Sequence, residues 1–249
     1  MPDVLPGAEP ASFPGGPTGV LVLHGFTGSP QSMRGLAQAF ADAGFTVELP
    51  LLPGHGTTVE EMNTTTWRDW SAAAEAAYTD LSARCAKVVV AGLSMGGTLT
   101  IWLATRHPEI AGIVLVNPAA EPMDEATVGF LRQTLADGTA FLPAIGSDIA
   151  KEGEVELAYG QTPLAPLLSL VDAQNEIEPK LGDIRTPILL MTSPQDHVVA
   201  PSASDYLASK VASPVERVSL DRSYHVATLD HDRDEIERRA VEFARKVTA

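Results

Sequence analysis

The chain has 249 residues, and its 17 Lys and Arg against 32 Asp and Glu give a formal net charge of −15 at neutral pH. With so few cationic side chains, the chain cannot form a basic surface stripe that would bind the phosphates of a nucleic acid. Its negative electrostatic field also repels nucleic acids and anionic lipid surfaces. We therefore expect neither nucleic-acid binding nor stable membrane anchoring. The composition, 45% hydrophobic and 20% charged, is typical of a globular protein. The single cysteine, Cys85, excludes an internal disulfide.

The beginning of the chain predicts an irregular arm over residues 1–17, because this stretch is rich in Pro, Gly and Ala and has no periodicity. It has neither the basic region nor the apolar region of a secretory signal. No apolar run elsewhere approaches the length of a bilayer-spanning helix. These features predict a cytoplasmic protein.

After the arm, buried strands alternate with helices, which predicts an α/β fold with a mostly parallel central sheet and helices on both faces. Short apolar runs predict strands at residues 19–24, 46–49, 88–92, 113–117, 188–192 and 215–220. Segments of helical period predict helices at residues 31–43, 67–83, 94–106, 202–211 and 234–247. In such sheets the chemistry lies beyond the carboxyl ends of the strands.

One stretch breaks this alternation, because the chain between residues 117 and 188 is much longer than one crossover helix requires. Its many Pro and Gly residues indicate an insertion that folds over the strand ends. We predict a small cap over residues 121–179 and a core made of residues 1–120 and 180–249, since the insertion is too short to bury a core of its own.

The clearest chemical motif is the GLSMG run at residues 92–96, which follows one predicted strand and precedes a helix. This is the G-x-S-x-G pattern, in which a serine on a tight strand-to-helix turn is held clear of the sheet. The flanking glycines leave room for the strained backbone of that turn. Ser94 is therefore the candidate nucleophile.

A serine hydroxyl needs a base and an acid that orients the base. His225 follows the last predicted strand, and Asp196 follows the strand before it. The order Ser94, Asp196, His225 is the one expected of an α/β hydrolase. The other histidines have simpler explanations at a strand end, in a turn, at a helix end or on the surface: His24, His55, His107, His197 and His231.

Two backbone N–H groups are candidates for the oxyanion hole. The N–H of Met95 lies at the start of a helix, directly after the nucleophile. The loop after the first core strand, HGFTG at residues 24–28, supplies the N–H of Phe26.

These motifs resemble those of the α/β-hydrolase carboxylesterases, and most closely those of the bacterial monoacylglycerol lipases. The resemblance extends to three further runs, GHG at residues 54–56, DHVV at 196–199 and SYHVATLD at 223–230. The resemblance implies the α/β-hydrolase fold, a triad of Ser94, Asp196 and His225, and oxyanion donors at Phe26 and Met95. The insertion also resembles the small cap of those lipases. There the glutamate matching Glu156 hydrogen-bonds the glycerol hydroxyls.

The resemblance predicts a serine hydrolase that cleaves monoacylglycerols to glycerol and fatty acid through an acyl-enzyme. Two alternatives remain open: a general short- to medium-chain carboxylesterase, and a non-catalytic ligand-binding protein of the same fold. The binding partner expected from this function is a small-molecule ester substrate, and we expect the chain to be a monomer or a homodimer. We expect no cofactor and no metal, because the glycines at residues 92–97 belong to the turn and no histidine pair has the helical spacing of a zinc site.

Overall fold

Nine strands lie within residues 3–249, the part of the chain that the computed structural model describes. They are β1 (Ala11–Phe13), β2 (Thr18–Leu23), β3 (Thr46–Leu49), β4 (Lys87–Leu93), β5 (Gly112–Val116), β6 (Phe141–Pro143), β7 (Gln161–Pro163), β8 (Ile188–Thr192) and β9 (Val215–Ser219). Seven of them form the central sheet in the order β1-β3-β2-β4-β5-β8-β9, and β6 pairs with β7. Within the central sheet only β1 runs antiparallel, against β3.

Eight α-helices connect these strands within the same described residues. They are α1 (Arg34–Asp42), α2 (Val59–Met62), α3 (Trp67–Arg84), α4 (Met95–Arg106), α5 (Glu125–Ala136), α6 (Leu164–Ile177), α7 (Ser202–Lys210) and α8 (Arg233–Thr248). None of the helices in residues 3–249 is long and apolar enough to cross a membrane.

The sheet is covered on both faces because its strands are apolar on both sides. In β4, Val88 and Val90 pack into one cluster with residues of α3 and α4. Val89 and Ala91 point to the opposite face and pack with residues of α1 and α8. Side chains alternate across a strand, so a run of apolar residues buries both faces at once. This burial confirms the predicted α/β class with a mostly parallel sheet.

The structure differs from the sequence expectations at three places. The arm expected to be irregular contains β1, which exists because its backbone pairs with β3 at the sheet edge. The predicted helix at residues 31–43 begins as a 3-10 turn, Pro30–Met33, before α1. The strand expected to reach Asn117 ends at Val116, because Asn117 has a positive φ of 43° and leaves the sheet.

The long connection between β5 and β8 contains α5, the β6–β7 pair and α6. A small apolar cluster, centred on Leu131, Leu164 and Leu168, joins α5 to α6. Leu170 and Ile177 of α6 belong instead to the main core below. The connection is thus anchored to the core by α6, and its remaining residues lie near the carboxyl ends of the strands.

Candidate active site

Ser94 occupies the turn between β4 and α4 with φ 55° and ψ −118°, a conformation that L residues rarely adopt. Such a backbone costs about 1–3 kcal/mol and persists only where its surroundings enforce it. The enforcement comes from close packing, because a Cβ on Gly92 would lie 2.1 Å from the Gly96 carbonyl oxygen, and one on Gly96 would lie 2.1 Å from that of Leu23. The two flanking glycines of the motif therefore allow the turn to exist.

The predicted base and acid are joined by a hydrogen bond, with 2.7 Å between His225 Nδ1 and Asp196 Oδ2. Both side chains are almost fully buried. The other oxygen of Asp196 accepts the N–H groups of Val198 and Val199 at 2.8 Å each. Because Nδ1 faces the carboxylate, Nε2 is the ring nitrogen available to take a proton. Ser94 and His225 line the same cavity, which has a volume of about 130 Å³.

Asn117 holds the loops that carry these two residues. Its side-chain amide donates to the carbonyl of His225 at 2.8 Å, and its oxygen accepts the N–H of Ser193 at 2.7 Å. Asn117 directly follows β5, whereas Ser193 directly follows β8. One side chain thus ties three adjacent strand ends together. Sequence analysis missed this residue, whose only signal was its position at the end of a buried strand.

The predicted oxyanion donors belong to two separate segments, α4 and the loop after β2. Met95 is the first residue of α4, so its N–H has no acceptor within the helix. Phe26 belongs to the loop after β2 and lines the cavity. That loop passes close to Ser94, since a Cβ placed on Gly25 would lie 3.5 Å from Ser94 Cβ.

Two neutral histidines support the loop that carries Phe26. The buried ring of His24 faces the Gly25 carbonyl through Nδ1 and accepts the N–H of Leu52 at Nε2. His55 packs against it with ring centroids 5.0 Å apart. Burial lowers the pKa of His24 to about 3, with a contribution from His55, and burial lowers the pKa of His55 to about 4. Both imidazoles are therefore uncharged near neutral pH. This agrees with the structural interpretation of the two residues.

Glu156 enters the same cavity from the connection between β5 and β8. Its carboxyl oxygen Oε1 comes within 2.6 Å of the position that a Cβ on Gly28 would occupy. Burial raises the pKa of Glu156, while His225 and the Ser32 hydroxyl act in the opposite direction. The structure therefore brings together Ser94, His225 and Glu156 around one cavity, with Asp196 behind the histidine.

Residues 147–159, which we call the strap, cross this end of the sheet and carry Glu156. The hydroxyl of Tyr159 donates to the Gly54 carbonyl at 2.8 Å and accepts the N–H of Thr57 at 2.9 Å. The N–H of Tyr159 donates to the Thr27 carbonyl at 3.1 Å. Sequence analysis did not single out Tyr159, because its partners are about a hundred residues away in the chain.

The remaining three histidines lie outside the cavity. His107 follows α4 and lies between the carboxylates of Glu75 and Glu109, so its partners are side chains rather than the helix end alone. The ring of His197 contacts Asp148 and points away from Asp196, as expected for adjacent residues. His231 is exposed. Within residues 3–249, no group of His, Cys, Asp and Glu side chains is arranged to hold a metal ion.

Comparison with known proteins places this arrangement in a family. The family model described as serine aminopeptidase, S33 (Hydrolase_4), matches residues 18–232. The thermostable monoacylglycerol lipase of Bacillus sp. (strain H-257) is 46% identical over 98% of this chain and 96% of its own. The carboxylesterase of Bacillus subtilis (strain 168) is 27% identical over 96% of this chain and 97% of its own.

Solved structures agree with this assignment. A chain from a study of two metagenome-derived lipolytic enzymes, LipS and LipT, superposes with a TM-score of 0.93 at 46% identity, covering 98% of this chain and all (100%) of that one. The monoacylglycerol lipase of Paleococcus ferrophilus shares the fold, with a TM-score of 0.79 at 19% identity over 96% of this chain and 98% of its own. From the family match and these relatives, the chain belongs to the serine aminopeptidase S33 family of α/β hydrolases.

Proposed function

We propose that this protein hydrolyses carboxylic esters, and monoacylglycerols in particular, with Ser94 as the nucleophile. The observation that carries the proposal is the shared cavity, where Ser94 and His225 lie together with the carboxyl group of Glu156. The 46% identity to a monoacylglycerol lipase over nearly the whole chain supports the same substrate class.

The reaction would proceed in two steps, acylation of Ser94 and hydrolysis of the acyl-enzyme. Ser94 Oγ attacks the ester carbonyl while His225 Nε2 takes its proton, and Asp196 stabilises the resulting imidazolium. The N–H groups of Phe26 and Met95 stabilise the oxyanion. His225 then protonates the leaving glycerol oxygen, which leaves the acyl group on Ser94. Water repeats the sequence and releases the fatty acid together with the free serine.

Glu156 would select the alcohol side of the substrate. Glu156 lines the cavity together with Ser94 and His225, so its carboxyl group can bond a hydroxyl of a glycerol moiety held there. A site built to bond a hydroxyl discriminates against an ester that lacks one, because the buried carboxyl group is then left unpaired. This difference separates a monoacylglycerol lipase from a general carboxylesterase.

We also infer that residues 121–179 act as a cap, with residues 1–120 and 180–249 as the hydrolase core. The inference is supported by the cavity lining, to which Ala144, Ile145, Glu156 and Tyr159 contribute from the insertion. The carboxylesterase of Bacillus subtilis supports the second candidate function, a general ester hydrolase. Cytoplasmic location and the monomeric or homodimeric state stay predictions from the sequence.

A fluorophosphonate probe tests the nucleophile. We expect the probe to label the wild-type protein and Ser209→Ala, in which an exposed serine of α7 is replaced, but not Ser94→Ala. Labelling that survives in Ser94→Ala would contradict the assignment of the nucleophile. A wild-type protein that binds ester analogues without being labelled would favour the non-catalytic alternative.

Substrate selection is tested by kcat/KM for a monoacylglycerol and for the methyl ester of the same fatty acid. We expect the wild-type protein to prefer the glyceride by at least tenfold and Glu156→Gln to lose most of that preference. The matched control is Glu152→Gln, the same change at an exposed position of the strap. Equal rates on both esters in all three proteins would instead indicate a general carboxylesterase.

A further inference from the structure

Asp148, a buried residue of the strap, contacts both loops that carry the acid and the base. Its Oδ2 accepts the N–H of His225 at 3.0 Å and the N–H of His197 at 3.1 Å. Its Oδ1 lies 2.8 Å from the ring nitrogen Nδ1 of His197. In addition, its backbone carbonyl accepts the N–H of Val226 at 3.0 Å. The proposed mechanism gives this carboxylate no part.

A second carboxylate, on the loop that carries His225, accepts hydrogen bonds from backbone N–H groups of the strap. Asp230, which lies in the loop after β9, accepts the N–H groups of Ala150 and Lys151 in the strap at 2.7 and 2.9 Å. It also accepts the N–H of Tyr224, the residue before His225, at 2.9 Å. Each segment therefore supplies a carboxylate that satisfies the backbone N–H groups of the other. This reciprocal pairing fixes the strap to the loop of the base.

The two N–H groups that share Oδ2 of Asp148 belong to different strand ends. His197 follows the acid Asp196 in the loop after β8, while His225 is the base itself in the loop after β9. One oxygen atom of Asp148 therefore bridges the two loops. Asn117 holds the His225 peptide by its carbonyl from the core, and Asp148 holds it by its N–H from the strap.

We propose that Asp148 is a positioning residue for the acid–base pair, so that the strap takes part in catalysis as well as in substrate binding. The proposal rests on the proposed function of Asp196 and His225. Without the carboxylate, the buried N–H of His225 and the partly buried N–H of His197 lose their acceptor, and the two loops lose one of the contacts that join them. The 2.7 Å hydrogen bond between His225 and Asp196 then lacks the contact by which the strap holds both residues' loops through one side chain.

The test compares Asp148→Ala with Asp148→Asn, using a soluble short-chain ester such as p-nitrophenyl butyrate. Asparagine keeps one side-chain oxygen that can accept both N–H groups, whereas alanine keeps none. We expect a fall in kcat of tenfold or more in Asp148→Ala with KM within threefold of wild type, and kcat within threefold of wild type in Asp148→Asn. Titration with a fluorophosphonate corrects each rate for the amount of folded enzyme.

Leu131→Ala is the control for loss of stability, because it empties part of the small apolar cluster that joins α5 to α6. It leaves both catalytic loops untouched, and we expect its kcat per titrated site to stay within threefold of wild type. If Asp148→Ala does not fold, Asp148→Ser takes its place, since its hydroxyl group can bond a water molecule at this polar site but is too short to accept both N–H groups as the carboxylate does. We expect the same loss of kcat from it.

The proton shared by His225 and Asp196 gives a readout that a purely structural role would not change. We expect its downfield NMR signal in the wild-type protein and in Asp148→Asn, and its loss or broadening in folded Asp148→Ala. An unchanged signal and unchanged kcat in Asp148→Ala would overturn the proposal, as would a rise in KM with kcat unaltered. Failure of the proposed function differs from both, because the wild-type protein would then not react with the fluorophosphonate.

Discussion

Acidification from pH 7 to pH 5 is expected to weaken this fold strongly, because His24 and His55 are buried without charge. Burial lowers the pKa of His24 from 6.5 to about 3, with a smaller contribution from repulsion between the two rings when both are protonated, and burial lowers the pKa of His55 from 6.5 to about 4. The reason is visible in the contacts. Protonation of His24 at Nε2 would oppose the N–H of Leu52, and Nε2 of His55 is buried with no partner.

The sign of the effect follows from which state binds protons. Both pKa values are lower in the folded state, so the unfolded chain takes up a proton at each histidine as the pH falls through 6.5 and the folded chain does not. The contribution of the two neutral histidines to the free energy of unfolding is fully present above pH 6.5 and is lost as the pH falls toward 4. Between pH 7 and pH 5 the loss is about 2 kcal/mol for each histidine, or about 4 kcal/mol for the pair.

A loss of that size is a large part of the 5–15 kcal/mol that usually separates folded from unfolded proteins. The assay is urea unfolding at pH 7, 6 and 5, at fixed salt, for the wild-type protein and His55→Gln. Glutamine keeps an N–H that can reach the Pro53 carbonyl, the present partner of His55, but it does not titrate. We expect the pH-dependent loss in His55→Gln to be smaller than in wild type by about 2 kcal/mol.

His231→Gln, at an exposed histidine, controls for the removal of one imidazole. If wild type and His55→Gln lose the same free energy of unfolding between pH 7 and pH 5, the ring of His55 is not held neutral by the fold and the reasoning is refuted. A reduction of equal size in His231→Gln would also refute it, because the effect would then not depend on burial.

Two further predictions concern the strap. In Gly28→Ala the new Cβ would lie 2.6 Å from Oε1 of Glu156, so the flexible carboxyl group has to move. We therefore expect kcat/KM to fall for a monoacylglycerol and to stay unchanged for a methyl ester. The control is Gly160→Ala, where the new Cβ has no atom within 4 Å and both values of kcat/KM should stay unchanged. In Tyr159→Phe the loop at residues 54–57 loses both bonds to the hydroxyl group, and calorimetry should show a loss of about 1–3 kcal/mol. If the free energy of unfolding of Tyr159→Phe equals that of the wild-type protein, this account of Tyr159 is contradicted.

Much of the sheet could be predicted from the sequence because its signal is local. The strand predicted at residues 88–92 is observed as Lys87–Leu93, and the one predicted at 46–49 is observed at Thr46–Leu49. The edge strand Ala11–Phe13 was missed, since only three residues pair and the pairing partner lies in β3. Strands with a continuous apolar run are visible in sequence, whereas an edge strand of mixed polarity depends on its neighbour.

The candidate site divides in the same way. Ser94, Asp196 and His225 could be named because each lies in the turn or loop that comes after a predicted strand. The sequence analysis gave Asp148 no role. It is 49 residues from His197 and 77 from His225 in the chain. No local pattern connects residues at such separations.

By itself, the sequence determined the alternation of strands and helices, the turn at Ser94 and the order of the candidate triad. These features depend on side-chain periodicity and on backbone sterics within a few residues. Only the tertiary structure decided that His225 meets Asp196, that His24 and His55 are buried without charge, and that the strap is bound to both loops that carry the candidate acid and base. The physical reason is that such contacts and burial arise when distant segments pack together, and the spacing of residues in the chain does not specify them.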